Sequence, residues 1–153
     1  MKRSQAAKAA RMVLRRGSWW MRLPGPIDQL QALLNQHTFW ATGRTKRQLW
    51  HMLNGSSAVV TAWKGGRLVG FGRASSDGVF RAVLWDVVVA SDTQGEGLGR
   101  RLVEELLRCK PVASSEKIYV MTTNSGGFYE KLGFCPTGTQ QLLLLNPNKK
   151  QSG

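Results

Sequence analysis

A buried strand, a glycine-rich turn and an amphipathic helix follow one another in the stretch LWDVVVASDTQGEGLGRRLVEELL, residues 84–107. The apolar β-branched run predicts the strand, and the leucine spacing after the turn predicts the helix. Gly95, Gly97 and Gly99 stand at alternate positions where the strand becomes the helix. Glycine lets the backbone approach a ligand closely, and the first N–H groups of a helix have no partner within it. This junction therefore favours an anion such as a phosphate group, with Arg100 and Arg101 adding positive potential.

The residues around these glycines disfavour three different roles for the turn. A dinucleotide-binding fold requires G-x-G-x-x-G, whereas this turn reads G-x-G-x-G and only 54 residues follow Gly99. A P-loop ends in Gly-Lys-Ser/Thr, whereas two arginines follow Gly99. A flexible connector would not need such strong strand and helix patterns on either side.

The size and charge of the chain limit the class of protein. Its 153 residues match a single domain, and no apolar run approaches the ~18 residues of a membrane-spanning helix. The net charge is +13, and seven Lys and Arg precede Pro24 with no acid among them. We expect residues 1–23 to form a basic N-terminal arm, residues 24–148 the folded domain and residues 149–153 a C-terminal tail. Cys109 and Cys135 lack metal-site spacing, so we expect no metal and a reducing compartment, which is the cytoplasm, or the plastid stroma if the chain comes from a photosynthetic eukaryote.

Hydrophobic periodicity and turn signals predict the element order α α β β β α β α β. The expected helices are PGPIDQLQALLNQ, TKRQLWHMLNG with Thr45 as its cap, LGRRLVEELLRCK ending at Pro111, and GGFYEKLGF. The expected strands are two runs within AVVTAWKGGRLVGFGRAS joined at Gly65-Gly66, then VFRAVLWDVVV, EKIYVMTT and GTQQLLLL.

These residues resemble the GNAT superfamily of acetyl-CoA-dependent N-acetyltransferases. VVVASDTQGEGLGRRLVEELL is similar to motif A, with Gln94-x-x-Gly97-x-Gly99 matching the family's Arg/Gln-x-x-Gly-x-Gly/Ala, and NSGGFYEKLGF is similar to motif B. The resemblance extends from about Pro26 to Leu145. LVGFGRASSDG, LWDVVV and FYEKLGF also resemble the cyanobacterial and plastid branch that includes serotonin N-acetyltransferase-like enzymes.

The resemblance implies a fold and a way of binding acetyl-CoA. The fold is α/β (α+β), a mixed and largely antiparallel sheet flanked by helices, with a splayed central strand pair. The main chain of Val87, Val88 and Val89 pairs with the pantetheine arm in the family, and the amides of the following turn hold the diphosphate. Those turn residues are Gln94, Gly95, Glu96, Gly97, Leu98, Gly99 and Arg100. Asn124 corresponds to a position that contacts the cofactor arm, and Lys131 to one where a basic side chain approaches the phosphates.

The resemblance also implies direct acetyl transfer from acetyl-CoA to an amine. Tyr129 stands at the tyrosine position of motif B, where it is the general acid that protonates the departing thiolate. A phenol is suited to that step, because its pKa is comparable to that of a thiol. Asp86 is the candidate base, since burial in the apolar run would raise its pKa, although it could equally pair within the sheet. In part of the branch an acid precedes the tyrosine by seven residues, whereas this chain has Thr122 there.

The remaining candidates are expected to have structural roles. His37 and His51 lie on helices without a paired acid, Cys109 and Cys135 are expected to be structural, and Trp40, Trp50 and Trp85 are expected to be chiefly core. The first two tryptophans belong to the region that forms the acceptor wall in the superfamily.

The acceptor and the partners stay open at the level of sequence. The acceptor is a primary amine, either an arylalkylamine such as serotonin or tryptamine or a lysine or N-terminal amine of a protein. We expect no membrane partner, and a homodimer is compatible with the resemblance. The alternatives are a basic nucleic-acid-binding module, suggested by the charge, and a non-catalytic acyl-CoA sensor.

Overall fold

The structure, a computed structural model, describes residues 11–148, which fall into two compact units, 11–121 and 122–148. The first unit holds strands β1 (Met12–Arg16), β2 (Ala58–Lys64), β3 (Arg67–Ser76), β4 (Arg81–Val89) and β5 (Lys117–Val120). It also holds helices α1 (Pro24–His37), α2 (Lys46–Asn54), α3 (Leu98–Arg108) and α4 (Lys110–Ala113). The second unit holds α5 (Gly126–Glu130).

The five strands form one open sheet in the order in which they occur along the chain. β1 to β4 are antiparallel neighbours, and β5 runs parallel to β4. Gly65 and Gly66 have positive φ angles of 57° and 79°, which is the backbone that a two-residue hairpin turn between β2 and β3 requires. The mixed, largely antiparallel sheet expected from the sequence is confirmed.

Helices cover both faces of the sheet, and β3 shows how closely one of them approaches. A Cβ built on Gly70 would lie 2.8 Å from Leu102 of α3, and one on Gly72 would lie 2.9 Å from Leu106. The even-numbered positions of β3 therefore face α3. Because side chains alternate along a strand, the odd-numbered positions face the other side, against which α1 packs.

The ends of the first helices follow from their sequences. Pro24 occupies the first turn of α1, where its missing N–H breaks no hydrogen bond. Thr45 caps α2, because its hydroxyl oxygen accepts a hydrogen bond from the Gln48 backbone N–H and its own N–H donates to Gln48 Oε1. This capping box confirms the expected start of α2.

Two features of the first 23 residues depart from the expected basic arm. Met12–Arg16 pairs with β2 as an edge strand, and Trp20 and Met21 are buried in a short 3-10 turn. An edge strand tolerates arginine because its outer side is solvated, so charge concealed the strand in the sequence. Regular secondary structure therefore begins before residue 24, while residues 1–10 and the expected tail at 149–153 lie outside the described residues.

The expected strand GTQQLLLL is not formed. Residues 138–145 have no regular secondary structure, and Leu142 to Leu145 are 77–85% exposed. A strand depends on a neighbour that accepts and donates its backbone hydrogen bonds, which an apolar sequence cannot supply by itself. Pro111 also behaves differently from expectation, since α3 ends before it and Pro111 lies in the first turn of α4.

Between residues 11 and 148, no helix combines the length and apolar character required to cross a membrane.

Candidate active site

The glycine turn ends in a row of unpaired backbone donors. The N–H groups of six consecutive residues, Gly95 to Arg100, donate no hydrogen bond to any described residue, and the first bond of α3 runs from Arg101 to the Gly97 carbonyl. Gly95 and Gly97 have positive φ angles of 86° and 72°. Such left-handed backbone turns neighbouring N–H groups to one side and forms an anion-binding concavity at a helix start.

The space outside this turn is open. A Cβ at Gly95 or Gly97 would meet no atom within 4 Å, so these glycines serve backbone conformation and access rather than internal packing. Leu98 anchors the turn in the core, being almost completely buried. Arg100 pairs with Glu104, and Glu96 lies 3.7 Å from Lys64. The turn fits a diphosphate by its donors and by its accessibility.

The strand before this turn has an unpaired edge. β4 pairs with β5 only as far as Leu84 and Val120, so between residues 11 and 121 the outer edge of Trp85 to Val89 has no partner strand. Val87, Val88 and Val89 are the last three residues of this edge, and Val88 pairs with Phe71 of β3 on the other side. An extended amide-bearing chain could therefore pair with β4 as an added strand would.

Asp86 lies at a bulge on that edge. Asp86 and Val87 together stand opposite the single residue Gly72, and Asp86 has a φ angle of 51°, the left-handed region that aspartate tolerates better than most residues. The bulge turns its carboxylate into a cluster of donors on the α1 side of the sheet.

Four hydrogen bonds reach this carboxylate. Oδ1 accepts from Trp40 Nε1 at 3.1 Å and from Arg44 Nη2 at 3.3 Å. Oδ2 accepts from Arg44 Nη1 at 3.1 Å and from Arg73 Nε at 2.8 Å. A carboxylate offers about four acceptor positions, so all of them are used.

The surroundings of Asp86 correct the expectation that its pKa is raised. Burial raises the pKa of Asp86, whose side chain is only 5% exposed, but the hydrogen bonds and charges of Arg44 and Arg73 outweigh burial and hold the pKa below its ordinary value. The carboxylate remains ionised at neutral pH and has no free acceptor position. It is poorly suited to take a proton from an amine.

The α1–α2 loop places Arg44 within this cluster. Gly43 adopts a φ angle of 76° and its N–H donates to Asn35 of α1, while Gln31 donates to the Arg44 carbonyl. Arg73 reaches the same carboxylate from an odd-numbered position of β3. The sequence analysis did not predict that Arg44 and Arg73 belong to the site. The available signal was Arg73 itself, a charged residue within the otherwise apolar run LVGFGRAS.

The second unit contains the three other predicted site residues. The Tyr129 ring is 8% exposed, and its centroid lies 4.9 Å and 5.6 Å from those of Phe128 and Phe134. Burial raises the pKa of Tyr129, and its hydroxyl makes no hydrogen bond with residues 11–148, although the hydroxyl is not sealed from solvent. Asn124 and Lys131 are exposed. The phenol is thus protonated at neutral pH with its donor uncommitted.

The residues expected to have structural roles differ in their surroundings. His37 Nδ1 lies 2.9 Å from Ser91 Oγ and accepts the Ser91 N–H, which gives it a structural partner after β4. Burial raises the pKa of Cys109, which agrees with an inert thiol. The expectation that Trp40 and Trp50 are core residues is wrong, because both are more than 40% exposed. Trp85 is half-buried and donates to Ser75.

His51 and Cys135 are exposed. Across residues 11–148 no three His, Cys, Asp or Glu side chains lie together as a metal site would require.

Comparison with known proteins relates this geometry to a family. Of the curated proteins, rice (Oryza sativa subsp. japonica) serotonin N-acetyltransferase 2, chloroplastic, is 51% identical over 72 residues, which are 45% of this chain and 35% of that protein. The uncharacterized N-acetyltransferase ycf52 of Porphyra purpurea is 44% identical over 69 residues, 44% of this chain and 40% of that protein. The chain therefore spans less than half the length of these relatives.

The fold also matches solved structures. A putative GNAT acetyltransferase from Xanthomonas campestris pv. campestris superposes with a TM-score of 0.72 at 22% identity, over 88% of this chain and 92% of that one. At this identity the likeness concerns the fold. The model of the acetyltransferase (GNAT) family matches residues 27–134, well over half of the sequence. The chain accordingly belongs to the GNAT acetyltransferase family.

Proposed function

We propose that this protein transfers the acetyl group of acetyl-CoA to a primary amine by direct attack in a ternary complex. The observation that carries the proposal is the row of six N–H groups from Gly95 to Arg100 that donate to no described residue at the start of α3, beside two glycines at which a Cβ would meet no atom within 4 Å. Membership of the GNAT family and the relatedness to proteins named N-acetyltransferases support the same activity.

The residues of the turn and of β4 fit acetyl-CoA. In the proposal the N–H groups of Gly95 to Arg100 hold the diphosphate, with Gln94 at the start of the turn, and Arg101 adds positive charge. The free edge of Val87, Val88 and Val89 holds the pantetheine arm by main-chain hydrogen bonds. Asn124 and Lys131 are further proposed contacts, of the arm and of the phosphates respectively. When bound, acetyl-CoA supplies an activated thioester whose acyl group the amine accepts.

Tyr129 is proposed as the general acid. Its raised pKa keeps the phenol protonated, and its hydroxyl is uncommitted, as a donor to a departing thiolate must be. Asp86 has a different proposed part, because its ion pairs hold the β4 bulge and the α1–α2 loop together. A carboxylate so occupied is not proposed as the base.

Two classes of primary amine are candidates for the acceptor. The name of the rice relative supports an arylalkylamine such as serotonin, and the exposed ring of Trp40 beside the bulge could stack on one. A protein amine is the other class. The name of that relative also supports a plastid location if this chain comes from a photosynthetic eukaryote.

The experiment combines acetyl-CoA titration by calorimetry with thiol release across a panel of amines and peptides. Gly97→Ala places a methyl group on the open side of the turn, so we expect acetyl-CoA affinity to fall roughly tenfold or more. Gly78→Ala is the matched control, since Gly78 has a similar φ angle of 78° and equally open space but lies in the β3–β4 turn. Backbone strain alone would affect both variants alike.

Each outcome of that experiment is decisive. Binding of acetyl-CoA with no turnover on any amine or peptide would indicate an acyl-CoA sensor. Absence of binding, together with salt-dependent binding of an oligonucleotide, would indicate a nucleic-acid module. Equal affinity of the parent protein and Gly97→Ala would remove the glycine turn from the site.

A further inference from the structure

Arg73 presents an unused pair of donors beside the β4 bulge. Its Nε is committed to Asp86 at 2.8 Å, but Nη1 and Nη2 donate to no acceptor within residues 11–148. The side chain is 19% exposed, and Nη1 and Nη2 are not among the buried atoms that lack a partner. These two nitrogens, the Arg73 fork, therefore reach solvent. A guanidinium held at Nε with its outer edge free has the planar geometry that binds a carboxylate or phosphate through two parallel hydrogen bonds.

The charge around this fork favours an anion. Arg44 and Arg73 together face the single carboxylate of Asp86, so the cluster carries a formal charge of +1. The other carboxylates of residues 11–121 are occupied elsewhere. Asp28, Asp92, Glu96, Glu104, Glu105 and Glu116 each have their own Lys or Arg, and Asp77 accepts backbone N–H groups of its turn. Among the described carboxylates of this unit, only Asp86 therefore pairs with Arg44 or Arg73.

The position of the fork separates it from the glycine turn. Arg73 lies opposite Trp85 of β4. Trp85 comes four residues before Val89, the last residue of β4, and four strand residues span roughly 13 Å. It also lies on the α1 side, whereas the even-numbered residues of β3 face α3. The Trp85 ring, whose centroid is 5.9 Å from the guanidinium carbon, and Trp40 border the same cluster. This is the acceptor side of the proposed reaction.

We propose that Arg73, oriented by Asp86, binds an oxyanion carried by the acceptor, so that the preferred acceptors are primary amines bearing a carboxylate or phosphate group. The inference rests on the proposed amine acetylation and narrows its substrate class. It disfavours bare arylalkylamines such as tryptamine, which bring a cation to a cationic cluster with nothing for the fork to bind. In this role Arg73 recognises substrate, and Asp86 is a positioning residue.

The test uses acceptor pairs that differ only in the anion. The pairs are tyramine and tyrosine, tryptamine and tryptophan, and ethanolamine and its phosphate monoester, the last distinguishing phosphate from carboxylate. We expect kcat/KM to be at least tenfold higher for the anionic member of one class, mainly through a lower KM, because hydrogen bonds to charged groups strengthen binding by about that factor or more. Arg73→Gln should reduce this ratio at least tenfold, and the ratio within each pair, rather than the activity on either member, is the readout.

Two further variants separate recognition from folding. Arg73→Lys keeps a cation beside Asp86 but loses the fork, and we expect the same loss of preference. Arg81→Gln removes an exposed arginine of β4 that pairs with Glu116, and we expect it to keep the parent's preference. Thermal unfolding and acetyl-CoA calorimetry on each variant confirm that fold and cofactor binding persist.

A binding measurement covers the case in which no small amine is turned over. N-acetyltyrosine should bind at least tenfold more tightly than N-acetyltyramine in calorimetry, and Arg73→Gln should abolish the difference. Equal binding and equal kcat/KM within each pair would overturn the inference while leaving the proposed function intact. A drop in acetyl-CoA affinity in Arg73→Gln without a change in acceptor preference would assign the fork to the cofactor and also overturn it. Absence of acetyl transfer from the parent protein to every acceptor would count against the proposed function instead.

Discussion

Asp86 illustrates how the neighbours of a residue decide its chemistry. Its position in an apolar strand suggests a raised pKa, yet two guanidinium groups reverse the direction of the shift. The consequence for folding follows from proton linkage. Because the folded pKa lies below the unfolded value of about 3.9, the ion pairs stabilise the protein fully above that value, and the stabilisation is lost as pH falls through the folded pKa.

Replacing Asp86 should therefore affect stability in a pH-dependent way. Asp86→Asn leaves Arg44 and Arg73 without a counter-charge, and we expect the free energy of unfolding at pH 7 to fall by about 3 kcal/mol. The difference from the parent should begin to shrink below about pH 4, where the unfolded parent takes up the proton, and should shrink further as pH falls through the folded pKa. Urea denaturation at pH 7 and pH 3.5 measures both values. Asp92→Asn, which removes an exposed pair with Arg67, is the control and should change little.

A constant difference between Asp86→Asn and the parent at both pH values would contradict the assigned ion pairs. It would mean that packing of the side chain, and not its charge, stabilises the bulge.

Tyr129 is the second residue whose role depends on its ionisation. Tyr129→Phe retains the ring and its contacts with Phe128 and Phe134 but removes the proton. If the phenol is the general acid, kcat should fall by about 10² to 10⁴-fold with nearly unchanged acetyl-CoA affinity. The loss should be smaller with a donor whose thiol leaves more readily. Steady-state kinetics on both donors, with calorimetry, measures these effects.

Tyr119→Phe is the matched control, because Tyr119 is the other tyrosine of the chain and lies in β5. Its turnover should remain within about threefold of the parent. The same small change in Tyr129→Phe would show that the phenol is not the acid and that water supplies the proton.

At the scale of elements, the contact between β3 and α3 depends on the absence of side chains. Gly72 lets Leu106 approach the strand backbone directly opposite the bulge at Asp86 and Val87. Gly72→Ala would place a methyl group 2.9 Å from Leu106 Cδ1 and 3.5 Å from Val87 Cγ2. We expect a loss of about 1 to 3 kcal/mol in the free energy of unfolding from overpacking, measured by urea denaturation.

Gly25→Ala provides the comparison for that substitution. Gly25 lies in the first turn of α1 before Pro26, and a Cβ there meets no atom within 4 Å outside its chain neighbours, so its replacement should cost less stability than that of Gly72. Equal stability of Gly72→Ala and Gly25→Ala would show that α3 shifts away from the sheet without cost.

At the scale of the molecule, the charge of +13 is unevenly balanced. Each carboxylate within residues 11–121 except Asp77 has a basic partner, and the 22 Lys and Arg of the chain, seven of them before Pro24, outnumber its 9 acids by 13. That excess attracts anions in general, and phosphate-bearing acetyl-CoA is one of them. In the proposed function, the geometry of the glycine turn, and not the net charge, makes the attraction specific.

The sequence alone was sufficient for the features that depend on neighbours along the chain. The glycine turn before α3, the Gly65-Gly66 hairpin and the Thr45 cap follow from local backbone preferences and from hydrogen bonds a few residues apart. The glycine spacing of the turn also indicated the family, because all residues of that motif lie in one continuous segment of the sequence. The strand GTQQLLLL was wrongly predicted by the same local logic, since apolar residues alone do not provide a partner strand.

Only the tertiary structure decided the state of Asp86 and the use of Arg44 and Arg73. Those arginines are 42 and 13 residues from Asp86 along the chain, and they meet it because a bulge, a strand register and a loop conformation coincide. Hydrophobic periodicity shows which face of an element is buried but not which charges meet across elements. The direction of the Asp86 pKa shift and the free fork of Arg73 follow from these contacts between distant residues, which no local sequence pattern predicts.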